Sequence, residues 1–502
     1  MKRRDFLKGG AGLAATVAAT PAAAQTINPQ LLESIKLYWC FAHPRLRRNI
    51  YTLYNSNNNH PTIAAYRTAV GVMRSRPATD PTSWLYQANI HGTSTPSGSW
   101  PAGAPWATCN HGWQFLAWHR MYLYWFERIV RAASGDPTFA LPYWDYAPAS
   151  NRQIPPPFRS PNNASNALWD STRPGMNSGG SLPGTAVDST TCLIPTTYSS
   201  FQNSINGTPH GVVHGSIGGN MGAFATAGQD PIFWLHHCNI DRLWEKWLAQ
   251  GGGRVNPTSD PSWMNTNFTF VDENKNFVQM SGDDVLYTIN QLGYQYEDPR
   301  TCVPPWWYYL LASEKIVLAQ LRRSILTSLV VAKNLKLTPD QARIDLRPED
   351  GDTRERFAKA LSLDTIARTI NDNGYYILNF EGVQTDAPLD GYFEVYLGLP
   401  RDAKPDPEGP YYAGNLTTFG ADAESRRSAK GAHAGHTDFG QQVSLDVTDK
   451  LKRLVERGDI KNDFSVTLVP QGVAKSPNER FVFDAKANPR IDAVVLTVEK
   501  GN

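Results

Sequence analysis

Eleven histidines occur in this chain, and six of them fall into two trios whose spacing suits metal binding. His111 and His119 stand eight residues apart, a little over two helical turns, so they share a face if the chain bends on entering the helix. His91, in the separate segment 87–92, completes this trio. The second trio opens with His210-Gly-Val-Val-His214, an i, i+4 couple that sets two imidazoles side by side. Its third member comes from the adjacent pair His236-His237, which diverge by about 100° on a helix, so only one of them easily faces the same ion. A single helical histidine is ordinarily a hydrogen-bonded core residue. The joint pattern carries the weight: two groups, each joining a short-range couple to one distant histidine. Imidazole ligation without carboxylate or thiolate suits copper, zinc, iron or nickel. No Glu follows His210, so the H-E-x-x-H pattern of zinc proteases is absent.

Two aromatic-rich helices must carry these groups. Residues 111–133 run without proline up to Gly135, which stops them. Residues 228–250 form the second, opened by Asp230-Pro231 and closed by Gly251-Gly252-Gly253. Residues 62–74 are a further helix candidate. Between the helices, residues 148–208 are rich in Pro, Ser, Gly and Asn and read as a long surface loop. The texture changes near residues 299–305. A helix is expected over 311–333, and strands over 375–380, 391–397, 464–469 and 493–498, where β-branched and aromatic residues lie between turn residues. The division predicted is a leader at 1–24, a mainly α domain at 25–300, a linker with a helix at 301–370 and a β-sandwich-like domain at 371–502.

Composition narrows the function. Hydrophobic residues make up 41% and charged residues 19%, enough to supply a packed core. With 15 Trp, 21 Tyr and 20 Phe, flat apolar pockets are easily built. A net charge of +2, with no basic run beyond the first residues, argues against a nucleic-acid partner. After the leader, no stretch approaches the roughly 18 consecutive apolar residues of a membrane span. The leader has paired Arg3-Arg4, an apolar run over 11–19 and the small residues Ala22-Ala23-Ala24. It is similar to a twin-arginine signal, which implies export to the periplasm or beyond. Five cysteines (Cys40, Cys109, Cys192, Cys238, Cys302) leave at least one outside any disulfide framework.

Four segments together resemble the type 3 copper proteins, the group of tyrosinases, catechol oxidases and haemocyanins. They are Gln87-Ala-Asn-Ile-His91, His111-Gly-Trp-Gln-Phe-Leu-Ala-Trp-His119-Arg120, Pro209-His210-Gly-Val-Val-His214, and Asp230-Pro-Ile-Phe-Trp-Leu-His236-His237-Cys-Asn-Ile-Asp241-Arg242-Leu-Trp244. Gly293-Tyr294-Gln295-Tyr296 is similar to the tyrosine motif that closes the family's catalytic domain. The resemblance implies a four-helix bundle around two copper ions. It assigns CuA to His91, His111 and His119, and CuB to His210, His214 and His237; His236 then becomes a structural neighbour. The implied activity is oxidation of o-diphenols, and of monophenols in some members, to o-quinones with O2. A haemocyanin-like oxygen carrier is the alternative from another class, and a structural zinc protein a third.

Further roles follow from the same resemblance. Cys109 stands at the C-x-H spacing from which fungal members form a thioether to a CuA histidine, here His111. Asp241 is placed to orient ligands or backbone, or else forms a surface pair with Arg242 or Lys246. Phe115 packs on an imidazole or belongs to the plain core. Phe224 occupies the place of a gate aromatic over CuA, or again core. Asn206 stands where many phenol-hydroxylating members have a Glu that holds a water, and an amide cannot act as a base. Gly211 stands where some strong monophenol oxidases have Asn. Both departures favour diphenols. In the β-rich region, residues 412–420 are similar to the stretch that inserts a blocking side chain in haemocyanins and plant proenzymes; Phe419 is the plug candidate, or else sandwich core. His433 and His436 lie in a Gly/Ala-rich loop expected to be solvated.

Overall fold

The structure, a computed structural model, describes residues 45–297, 324–346, 351–372, 374–422, 441–461, 464–476 and 479–500. The leader, Cys40, Cys302, the segment 299–305, His433 and His436 fall outside them.

The N-terminal part is helical. Its principal helices are α1 (Pro61–Ser75), α2 (Trp84–His91), α3 (Phe115–Ser134), α4 (Tyr198–Ile205), α5 (Val212–Ile217) and α6 (Pro231–Ala249). Local chemistry sets their ends. Ser83 caps α2 by accepting from Tyr86 N, and Asp230 caps α6 by accepting from Ile232 N at 3.0 Å, with Pro231 at the first helical position. Gly135 ends α3 in the left-handed conformation at φ 72°, its N–H donating to Arg131 O. α3 and α6 lie together in the core. Phe126 and Trp234 stack with centroids 3.3 Å apart, and Trp118, Tyr122 and Trp244 are fully buried around them. Each such side chain contributes roughly 1.5–3 kcal/mol or more by leaving water.

The back of this core is tied by charge. Two short parallel strands, β1 (Leu46–Arg47) and β2 (Gln295–Tyr296), join the two ends of the domain. Arg47 bonds Glu127 at 2.9 Å and Asp241 at 3.4 Å, while Arg120 bonds Asp241 at 2.5 Å and Glu245 at 2.8 Å. Tyr294 and Tyr296 donate their hydroxyls to the same Asp241 oxygen. All of these groups are buried.

Residues 148–208 are not a plain surface loop. Ile154, Phe158, Leu168, Met176 and Leu182 are buried anchors, short 3-10 turns link them, and the segment ends in α4. Apolar residues spaced too widely for helix or strand periodicity still anchor a chain that has no regular structure.

The C-terminal part is a sandwich of two four-stranded sheets. Its strands are β3 (Ser324–Lys336), β4 (Ala342–Leu346), β5 (Gly374–Val383), β6 (Tyr392–Leu397), β7 (Tyr412–Thr417), β8 (Gln441–Asp446), β9 (Phe464–Gln471) and β10 (Arg490–Lys500). One sheet runs β8-β5-β10-β3 and the other β4-β9-β6-β7, every pair antiparallel. Leu378, Phe380 and Leu496 from one sheet share a core with Val395, Leu416, Val466 and Leu468 from the other. Helices α7 (Gly351–Ala360), α8 (Leu363–Asn371) and α9 (Thr448–Glu456) accompany the sheets.

Two expectations are corrected here. Residues 324–333 are strand rather than helix, since β3 pairs along its length with β10. The run Ser324–Lys336 mixes Leu with Ile, Val and Thr, so its composition suits helix or strand, and the cross-strand partner that decides its state lies more than a hundred residues downstream. The described residues between 324 and 370 therefore belong to the sandwich and not to a linker: Leu346, Phe357, Leu361 and Ile366 are buried in its core.

Candidate metal centre

Each histidine is held by its own local device. His91 ends α2, and its Nδ1–H donates to Phe224 O at 3.1 Å. His119 lies in the first turns of α3 and donates from Nδ1 to Phe115 O of its own helix at 2.8 Å. His210 sits in a wide turn over Asn206–Gly211 and donates from Nδ1 to Asn206 O at 3.2 Å. His214 in α5 donates from Nδ1 to Met221 O at 2.7 Å. A carbonyl oxygen only accepts, so these four bonds fix the tautomer and leave Nε2 with its lone pair. His111 precedes α3 rather than opening it, in a turn where Asn110 Oδ1 accepts from Gly112 N at 2.9 Å.

The structure brings the six together. Ring centroids of His91, His111 and His119 are 5.7, 5.6 and 5.6 Å apart, an almost equilateral triangle. Those of His210, His214 and His237 are 4.7, 5.0 and 5.4 Å apart. The two trios meet where His119 stacks on His237 at 4.2 Å and 5°, and where His111 lies 5.4 Å from His210. Ligand atoms of His91, Cys109, His111 and His119 fall within 4.8 Å of one another, as do those of His210, His214, His236 and His237.

The donor set fits a pair of cations. Nε2 of His91, His111 and His210 is buried without a hydrogen-bond partner, a rare state for a buried acceptor. His214 Nε2 and His237 Nε2 face each other at 3.2 Å. Two nitrogens each about 2.0–2.1 Å from one ion, at near a right angle, stand about that far apart. Burial, reinforced for most by neighbouring imidazoles, holds all six well below the usual histidine pKa; desolvation pushes His111 down to about 3. Every ring is therefore neutral at physiological pH, the form that ligates metal.

His236 also joins the second group, and its Nε2 too is buried without a hydrogen-bond partner. Its Nδ1 lies 3.2 Å from the Tyr146 hydroxyl, and its ring packs against His210 and His214. Cys109 carries a free thiol, as do Cys192 and Cys238, and its sulfur lies 3.5 Å from His119 Nε2.

Aromatic rings wall the site. Phe115 is 5.5 Å from His111, 4.9 Å from His119 and 4.6 Å from His210. Phe224 lies 4.6 Å from His91 and 5.0 Å from His111. Phe233, not singled out in the sequence, is 4.3 Å from His237 and 5.0 Å from His91. It stands four residues before His237, as Phe115 stands four before His119, and that repeated spacing was its signal. From the C-terminal sandwich, Phe419 stacks on His214 at 4.0 Å and 11°, and lies 5.8 Å from His111 and 5.6 Å from His210. Asn206 bridges the trios, donating from Nδ2 to His111 O at 3.3 Å while its carbonyl holds His210. Gly211 lies against Thr417. Asn206, Phe224, Thr417 and Phe419 border a cleft of about 2240 Å³ between the two parts of the molecule.

Asp241 is elsewhere. It is buried, 4% exposed, so the surface pair with Arg242 or Lys246 does not form. Its partners are Arg47, Arg120, Tyr294 and Tyr296, not a histidine. Burial alone would raise its pKa, but Arg120 and Arg47 outweigh that and hold it below the usual carboxylate value. It therefore acts at a distance, clamping α3 to α6, the helices that carry His119 and His237.

Comparison with known proteins agrees with this geometry. A family model for the common central domain of tyrosinase matches residues 81–187 and 176–250, and one for the polyphenol oxidase middle domain matches 258–308. A domain of unknown function, DUF7868, matches 329–479. Tyrosinase HcTyr1 of Hahella sp. (strain CCB-MM4) is 31% identical over 503 residues, covering 89% of this chain and all of that protein. The chloroplastic polyphenol oxidase A1 of Vicia faba is 28% identical, covering 84% of this chain and 75% of that one. In fold, the chain is similar to latent apple tyrosinase, with a TM-score of 0.58 at 23% identity over 91% of this chain and 97% of that one. Among the described residues no helix is long and apolar enough to cross a membrane. The chain belongs to the tyrosinase and polyphenol oxidase family of oxidoreductases.

Proposed function

We propose that this enzyme holds two copper ions, one on His91, His111 and His119 and one on His210, His214 and His237, and oxidises o-diphenols to o-quinones with O2. The observation that carries this reading is the pair of facing trios of neutral imidazoles, three of them with buried, unpartnered Nε2 atoms. When bound, the two coppers supply O2 binding and the removal of two electrons from the substrate. The chain's own residues do the rest. The backbone carbonyls of Phe224, Phe115, Asn206 and Met221 hold four of the six rings in their ligating tautomer. Phe115, Phe224 and Phe233 exclude water and offer flat faces to an aromatic ring. Asn206, an amide, gives a monophenol no base, so diphenols are the preferred substrates.

Phe419 occupies the face of His214 that a substrate ring would use, which supports a latent full-length enzyme freed when the sandwich is displaced or clipped. Thioether formation between Cys109 and His111 is supported by the sulfur lying among the ligand atoms of the first trio; the C–S bond replaces an S–H and a ring C–H, with O2 taking the two hydrogens, and peptide mass spectrometry would find the pair linked and two hydrogens lighter. The paired arginines of the leader support export, folded, to the periplasm or beyond.

The test is quinone formation by copper-loaded protein from matched mono- and dihydroxy aromatics, before and after limited proteolysis. The expected outcome is diphenol turnover that rises on clipping. No turnover in either state, with reversible O2 binding retained, would favour an oxygen carrier, and zinc in place of copper on metal analysis would overturn the reading.

A further inference from the structure

The residue after each of the first two histidines of the second trio is glycine: Gly211 follows His210 and Gly215 follows His214. Neither needs glycine for its backbone. Gly211 has φ −66° and ψ −31°, Gly215 lies inside α5, and neither has a positive φ. In a helix interior glycine is less stable than alanine, so both positions carry a cost that needs a reason.

The reason is the sandwich. A Cβ on Gly211 would lie 2.7 Å from Thr417 Oγ1 and 2.9 Å from its Cγ2, and a Cβ on Gly215 would lie 2.5 Å from the carbonyl oxygen of Gly391. By contrast, a Cβ on Gly71 in α1 would meet nothing nearer than 3.9 Å. The two contacts differ in kind. Thr417 presents a side chain that can rotate. Gly391 presents backbone, and it is itself wedged, since a Cβ there would strike Phe481 at 2.3 Å and Gln471 O at 2.6 Å. Thr417 is the last residue of β7, and its Oγ1 accepts from Phe419 N at 3.2 Å. Thr417 thus seats β7, the strand that aims Phe419 at His214, on Gly211, while Gly391 immediately precedes β6, whose Tyr392 pairs with Thr417, and seats that neighbouring strand on Gly215.

We infer that Gly211 and Gly215 are the seat of the inhibitory domain: one added methyl at either lifts β7 and draws Phe419 off His214, switching the full-length enzyme on. This rests on the latency proposed above.

The experiment uses full-length, copper-loaded protein and measures the ratio of catechol oxidation after limited proteolysis to that before. Wild type should show a high ratio. Gly211→Ala should lower it by about fivefold or more, a modest outcome for overpacking a tight contact, and Gly215→Ala should bring it closer still to unity. Thr417→Ala should restore latency to Gly211→Ala and not to Gly215→Ala. Amide exchange of residues 412–419 reads the seating without activity and should quicken in both glycine variants. Should a glycine variant fold poorly, Thr417→Met enlarges the contact from the sandwich side and should also activate. Unchanged ratio and exchange in Gly215→Ala, or equal rescue of both variants by Thr417→Ala, would overturn the inference. A wild type that clipping does not activate would instead sink the latency reading, leaving exchange to judge the seat.

Discussion

The two histidine trios are made of the same side chain and built by different rules. The first is enclosed by its own domain: His91, His111 and His119 face Phe115, Phe224 and Phe233. The second is finished from outside. Phe419 covers His214, and the backbone next to His210 and His214 bears directly on Thr417 and Gly391. The first half is thus enclosed mainly by the helical domain, with Phe419 only at 5.8 Å from His111, while the sandwich stacks directly on the second. Control that must leave the ligands intact is best exerted on the half with a removable wall.

The largest expected effect comes from deleting a ligand. His119→Ala and His214→Ala should each cut catechol oxidation by more than about a hundredfold, beyond the 10–100-fold typical of residues that merely support a ligand. Metal analysis should find one of the two ions lost in each. The halves then separate: His214→Ala removes the ring on which Phe419 stacks and should speed amide exchange of residues 412–419, whereas His119→Ala should leave it unchanged. Equal exchange in the two variants would break the comparison.

The buried histidines should make folding acid-sensitive, with or without metal. The six ligand imidazoles have folded pKa values far below the ordinary 6.5, so below that pH the unfolded chain binds more protons than the folded one. Their contribution is complete above about pH 6.5 and is lost as pH falls towards their folded values. Metal-free protein should lose several kcal/mol between about pH 7.5 and pH 5.5, and copper-loaded protein at least as much, because a metal-bound ring takes up no proton and the metal is released on unfolding. Thermal unfolding at the two pH values, with and without chelator, gives the measurement.

Asp241→Ala tests what the halves share. It removes the carboxylate between Arg47 and Arg120, leaving two buried cations short of a partner, and should cost about 3–5 kcal/mol. Because the network joins the helices bearing His119 and His237, both ions should bind more weakly; selective loss of one would argue that the helices answer separately. Phe419→Ala should act on one half only, raising full-length activity by about tenfold, the order expected for one stacked ring and its buried area, with no change once the sandwich has been clipped.

How much of this could be read from the chain follows from where the deciding contacts lie. The two histidine groups were legible because their spacing is local: an i, i+4 couple, and two helices punctuated by Asp230-Pro231 and Gly135. Choosing His237 over His236 was not local. It rests on the family resemblance, since the fold brings both rings into one cluster, with Tyr146 beside the first ring's Nδ1. Residues 324–333 were misread because a segment mixing Leu with β-branched residues becomes strand or helix according to its partner, and β10 lies at the far end of the chain. Asp241 was placed on the right helix but assigned the wrong neighbours, since Arg47, Tyr294 and Tyr296 reach it only after the ends of the domain meet. Gly211 was noticed for the pocket, while its contact with Thr417 exists only between folded domains.

The smallest effect discriminates best. Phe224 and Phe419 are both phenylalanines over ligand rings, 6.2 Å apart, one on each side of the comparison. Phe224 cannot swing away: its carbonyl holds His91, and a Cβ on Gly92 would lie 2.8 Å from that oxygen and 2.9 Å from the ring. It belongs to the helical domain, so clipping leaves it in place. Phe224→Ala should therefore raise KM for a catechol a few-fold, the measure of one aromatic contact of about 0.5–1.5 kcal/mol, and by the same factor before and after proteolysis. Phe419→Ala should matter only before. If clipping erased the Phe224 effect as well, that ring would be part of the removable wall, and the first trio would be as open to control as the second.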